Sequence, residues 1–158
     1  MDIAANVRKI KAEIEAINPE ASIVAATKTM GVAAINECMA TGLVAAAGEN
    51  RVQELTEKYT DAYPWDFIGN LQSNKVKYLV GKVRLIHSLD RISLAETIER
   101  EYEKRRLICK ALIEINTGNE PNKGGIPLDY AERFIEELIR FSHIEICGLM
   151  AVTPLNAD

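Results

Sequence analysis

Seven polar side chains, Lys28, Asn50, Asn70, His87, Ser88, Asn116 and Thr153, fall where the sequence predicts β-strands to end. Parallel α/β folds collect their ligands at the carboxyl ends of strands, so these residues are the first candidates for chemistry. Lys28, in Ala26-Thr27-Lys28-Thr29-Met30, closes the most apolar face of the predicted sheet. Partial desolvation there favours the neutral amine, and a neutral amine attacks an aldehyde to give a Schiff base. The competing reading is a lysine that snorkels to water at a strand end. Asn50 has capping-box spacing with Gln53, yet its amide also faces the mouth near Lys28, where it can hydrogen-bond a ligand. Glu49 is expected to point away from Lys28. A lone histidine such as His87 reads first as a rim residue with a satisfied ring and second as a general base. The segment Asn119-Glu120-Pro121-Asn122-Lys123-Gly124-Gly125 is turn-rich and its glycines can approach a phosphate, but the spacing matches neither a Walker loop nor the dinucleotide fingerprint.

The elements that must position these residues alternate. Ile3, Val7, Ile10, Ile14 and Ile17 share one helical face, with Asp2 as the predicted cap and Asn18-Pro19 as the stop. Strands are predicted over 23–27, 43–47, 65–68, 83–87, 107–115 and 144–151. Between them lie helices built on Val32, Ile35, Cys38 and Met39, over 52–61, over 71–80, through Ile92, Leu94, Ile98 and Tyr102, and from Leu128 to Leu138. The charged run from Glu99 to Arg106 reads as a solvated helix face. No Gly-, Pro- or Ser-rich linker divides the chain, so residues 1–158 read as one α/β domain with a parallel sheet. Two architectures accept this pattern: a (β/α) TIM-type barrel with about six of its eight units, or an open doubly wound parallel sheet. Length favours the open sheet, since a full barrel takes about 250 residues. Alternation favours the barrel: Cys109, Ala111, Ile113 and Ile115 share one face of the fifth strand while Lys110, Glu114 and Asn116 share the other, and a barrel interior can pair Lys110 with Glu114.

Composition narrows the function classes. The chain has 158 residues, 47% hydrophobic and 27% charged, and a formal net charge of -4, the wrong sign for gripping nucleic acid or an anionic membrane. No apolar run approaches the roughly 20 residues of a membrane span, and the mixed-charge start lacks a secretory pattern, so a cytoplasmic protein is expected. Three scattered cysteines, Cys38, Cys109 and Cys147, and two histidines fit reduced thiols better than disulfides or a metal site.

Five blocks then occur in order: Ala25-Ala26-Thr27-Lys28-Thr29, Gly48-Glu49-Asn50-Arg51-Val52-Gln53-Glu54, Phe67-Ile68-Gly69-Asn70-Leu71-Gln72-Ser73-Asn74-Lys75, Ile86-His87-Ser88-Leu89-Asp90 and Gly148-Leu149-Met150-Ala151. Together they resemble the YggS or PROSC family of pyridoxal phosphate homeostasis proteins. The resemblance implies a barrel like the N-terminal domain of alanine racemase, with pyridoxal 5'-phosphate held as a Schiff base on Lys28 and Asn50 beside the cofactor ring. It matches Lys123 to a loop lysine able to act as a secondary aldehyde acceptor. The candidate cofactor-binding set is Lys28, Asn50, His87, Asn116 and Met150, with no catalytic or metal-ligating residue. Family members continue through two further units, whose Ser/Met-Gly-Met-Ser and Arg-x-Gly-Thr segments bind the phosphate; these segments are absent from this sequence. The expectation is therefore either a piece of a longer protein or a chain whose open edges pair with another copy. Apoenzymes that use the cofactor are the implied recipients. A racemase or decarboxylase using the same lysine is the enzymatic alternative, and a chain without cofactor binding the blander one.

Overall fold

A computed structural model describes residues 2–118 and 123–152. Seven strands run parallel: β1 (Val24–Ala26), β2 (Ala46–Glu49), β3 (Trp65–Phe67), β4 (Leu85–Leu89), β5 (Cys109–Asn116), β6 (Ile126–Pro127) and β7 (Ile144–Ala151). The order is β1-β2-β3-β4-β5-β6, with β7 also on β5. A doubly wound sheet reverses its strand order at a switch point. Here order follows the chain without reversal through β5, as in a barrel, and the open-sheet alternative is set aside. The sheet does not close, because among the described residues β1 pairs only with β2 and β7 only with β5.

Helices α1 (Ile3–Glu15), α2 (Val32–Met39), α3 (Val52–Lys58), α4 (Ile92–Glu103) and α5 (Ala131–Leu138) lie between strands or before them. Asp2 caps α1 as predicted, its Oδ1 accepting from the Ala5 amide at 2.8 Å. The core joins one face of the sheet to the helices. Ala47, Phe67, Ile86, Ala111 and Ile113 meet Leu55, Ile98 and Phe134, all at most 1% exposed. β5 alternates as expected, with its odd-numbered residues buried and Lys110, Leu112, Glu114 and Asn116 on the other, open face.

Several boundaries differ from the sequence reading. The second strand begins three residues later and ends at Glu49, and the fourth runs on to Leu89, which places His87 inside the strand instead of at its end. The predicted helix over 71–80 is a 3₁₀ segment, Ser73–Tyr78, whose three-residue turn puts Val76 beneath Leu79. A 3₁₀ turn at Leu128–Tyr130 precedes α5, so Leu128 is 65% exposed instead of sharing the helix's apolar stripe. Finally, the two-residue β6 had no local signal; it pairs with Ile115 and Asn116. No described helix is long and apolar enough to cross a membrane.

Candidate functional site

Strand register places the site. Val24 pairs with Ala46 and Ala26 with Gly48, so these small side chains share the open face. Lys28 follows in the turn after β1 and Asn50 in the bend after β2, each two residues past the registered Ala26–Gly48 pair. The floor is built for close approach: a Cβ on Gly48 would lie 2.9 Å from Val24 Cγ1 and 3.0 Å from Ile68 Cδ1. Gly69 has a stricter reason to be glycine, because its Cβ would lie 2.1 Å from the Asn50 carbonyl oxygen.

Asn50 does not cap α3. Arg51 occupies the cap position and no side chain bonds there, which leaves the half-buried Asn50 amide without a partner among the described residues. Lys28 likewise makes no hydrogen bond or ion pair with any described residue. Its side chain is exposed, contrary to the desolvated lysine inferred from the sequence. Lys28 follows an edge strand, since among the described residues β1 pairs only with β2. Glu49 points away from Lys28 as expected, fully buried against Lys58 on the helix side.

The remaining candidates are held differently. His87 Nε2 is bonded to Asp66 Oδ2 at 2.9 Å, and Arg84 grips the same carboxylate through Nε and a terminal nitrogen at 2.9 and 2.7 Å. Burial pushes the Asp66 carboxyl up, but the bonds and charges of His87 and Arg84 outweigh it and hold the group below the usual carboxylate range. Ser88 is buried on the opposite face, its hydroxyl without a partner among the described residues. Lys110 pairs with Glu145 at 3.6 Å rather than with Glu114, because β7 brings Glu145 into register beside it. Glu114 and Met150 are registered partners on the open face, half-buried. Burial and the nearby Asp90 charge raise the Glu114 carboxyl above its ordinary value.

Asn116 and Lys123 line a cleft of about 180 Å³ with Glu114 and Gly124. A cleft of about 280 Å³ at the ends of β2 and β3 is lined by Asn50, Arg51, Phe67, Asn70, Gln72 and Lys75. Sequence reasoning had not grouped these, although they fall in two of its five blocks. Thr153 and residues 119–122 lie outside the described residues. Among the described residues no group of three or more His, Cys, Asp or Glu could hold a metal ion.

A parallel, unclosed sheet whose order follows the chain, with an exposed amine just past its first strand, defines a barrel-type α/β protein. Residues 1–157 match the family described as alanine racemase, N-terminal domain, and the chain belongs to that family. It is 41% identical over 138 residues to the pyridoxal phosphate homeostasis protein of Aquifex aeolicus, covering 85% of this chain and 60% of that protein's length. PipY of Synechococcus elongatus PCC7942, solved with pyridoxal phosphate (PLP) bound, is 30% identical with a TM-score of 0.80, covering 98% of this chain and 72% of the other. An unknown protein from Bifidobacterium adolescentis gives a TM-score of 0.89 at 30% identity, over 99% and 72% of the two chains.

Proposed function

We propose that this chain binds pyridoxal 5'-phosphate in intracellular vitamin B6 homeostasis, with Lys28 as its covalent anchor. The observation that carries this reading is that Lys28 and Asn50 each follow by two residues the registered Ala26–Gly48 pair at the carboxyl ends of β1 and β2, with neither polar side chain engaged by a described residue. When bound, the cofactor supplies an aldehyde that condenses with an amine and releases water. Lys28 Nζ supplies that amine, and the free Asn50 amide offers a donor and an acceptor beside it. His87, fixed by Asp66, presents an oriented ring edge from β4, and Asn116 and Met150 border the same face from β5 and β7. Lys123, exposed at the cleft beside Asn116, is the proposed secondary acceptor. The homeostasis names of the curated relatives and the PLP-bound PipY support this assignment.

The test is to add pyridoxal phosphate, reduce with borohydride and map the modified peptide. A single dominant adduct on Lys28, lost in Lys28→Ala, supports the reading. Labelling spread over surface lysines refutes it. Amino-acid turnover above the Lys28→Ala background would favour the racemase or decarboxylase alternative. Two finer parts belong to the same proposal. Loaded protein should restore activity to a PLP-dependent apoenzyme faster than spontaneous release allows. The open β1 and β7 edges should associate with a second copy, read as a light-scattering mass of two chains.

A further inference from the structure

Lys28 is not the only amine that a small aldehyde can reach. Lys58, on α3, lines a cleft of about 580 Å³ with Val32, Asn36, Met39, Tyr59 and Tyr63, on the outer side of the barrel. Its amine is fully engaged. Lys58 Nζ lies 2.7 Å from Glu49 Oε1, 3.4 Å from Glu54 Oε2 and 3.1 Å from the Thr27 carbonyl oxygen. Glu49 is 0% exposed and its second oxygen has no partner among the described residues, so its charge is balanced chiefly through this contact. An ammonium donating to three acceptors has no lone pair for a carbonyl carbon.

The same atoms anchor the residue before Lys28. Thr27, 3% exposed, spends every polar atom on this network. Its amide donates to Gly48 O at 2.9 Å and its hydroxyl to Glu49 Oε1 at 2.8 Å, while its carbonyl accepts from Met30 N at 3.0 Å as well as from Lys58. Thr29, directly after Lys28, has φ +66°, a left-handed conformation that a β-branched residue keeps only where its surroundings impose it. The turn carrying Lys28 is therefore tied at its base to a buried ion pair.

We propose that the buried Glu49–Lys58 pair is a positioning and selecting device: through Thr27 it fixes the Lys28 turn, and by holding the Lys58 amine it directs an aldehyde to Lys28 rather than to Lys58. This rests on Lys28 being the covalent anchor. Burial alone would lower the Lys58 ammonium, but the bonds and charges of Glu49 and Glu54 raise it instead, consistent with a proton that stays in place.

The experiment uses pyridoxal phosphate as probe, borohydride trapping with peptide mapping, and amide hydrogen exchange without the probe. Three variants are compared with wild type, all checked by thermal melts: Thr27→Val, Thr27→Ser and Glu49→Gln. Thr27→Val should slow Lys28 labelling about tenfold, because a small displacement of a reacting group costs at least that. It should also speed exchange of the Met30 amide, and Thr27→Ser should restore both. Glu49→Gln keeps an acceptor for Thr27 but removes the charge opposite Lys58, so a second adduct should appear on Lys58. Unchanged Lys28 labelling in Thr27→Val, or no Lys58 adduct in Glu49→Gln, overturns the proposal. If wild type itself shows no Lys28 adduct, the cofactor reading fails separately. Met30 exchange then decides the positioning part: faster in Thr27→Val than in Thr27→Ser supports it, and equal rates overturn it.

Discussion

His87 Nε2 lies 2.9 Å from Asp66 Oδ2, joining β4 to β3 across the open face of the sheet at a carboxylate that has no exposed surface. Arg84, the residue before β4, forks onto the same group, so donors from β4 and its lead-in converge on a single acid of β3.

Asp66→Asn keeps the shape of this junction and removes its charge. Removing one partner of a fully buried pair costs about 3–5 kcal/mol, and because Arg84 is 43% exposed and can rehydrate, a loss of about 2 kcal/mol is expected here. The Asp66 carboxyl is held below its ordinary value, so its contribution is present above the unfolded value and is lost as pH falls through the folded one. Thermal melts of wild type should decline below about pH 4, and Asp66→Asn should show a shallower decline there. Equal slopes would count against the junction's share in acid stability.

Glu114 has the opposite sign. Its carboxyl is raised by burial and by Asp90, so ionising it works against the folded state. Stability from this residue is greatest when it is protonated and falls as pH rises through the carboxylate range. Glu114→Gln should therefore melt higher than wild type at pH 7 and by a smaller margin at pH 4. A lower melt at pH 7 would show that Glu114 is stabilised by a contact stronger than its repulsion from Asp90.

Two glycines separate backbone from side-chain crowding. Gly69→Ala drives a methyl into the Asn50 carbonyl, which cannot move without displacing the second-strand loop. Gly48→Ala meets only the ends of Val24 and Ile68. Overpacking typically costs about 1–3 kcal/mol, with Gly69→Ala expected at or above the top of that range and Gly48→Ala near the bottom. Denaturant melts rank them, and the reverse order would contradict the assigned contacts.

Thiol reactivity should follow burial. Cys147 is exposed, Cys38 is half-buried with its thiol raised by burial and by Glu37, and Cys109 is 1% exposed with its thiol pushed up to about 12, chiefly by burial. Iodoacetamide with mass mapping should modify Cys147 first, Cys38 more slowly and Cys109 only on unfolding. Early labelling of Cys109 would mean that β5 opens far more readily than its packing implies.

Much of this molecule is readable from local spacing. The alternation of β5, the Asp2 cap, the β/α order and the placing of Lys28 beyond an apolar strand all depend on residues within a few positions of one another. So does the divergence of Glu49 from Lys28, since successive strand residues point to opposite faces. The tertiary structure decided which side chains meet across strands and how deeply. Register sets Lys110 against Glu145 rather than Glu114, and the three-residue shift of β2 carries Glu49 into the buried layer with Lys58. His87 becomes a mid-strand residue bonded to an aspartate 21 positions away. Lys28 is exposed after a strand that, among the described residues, has a partner on one edge only. Periodicity reports the face a residue occupies, but its partner and its solvent depend on how distant segments pack, and that information is not local in the chain.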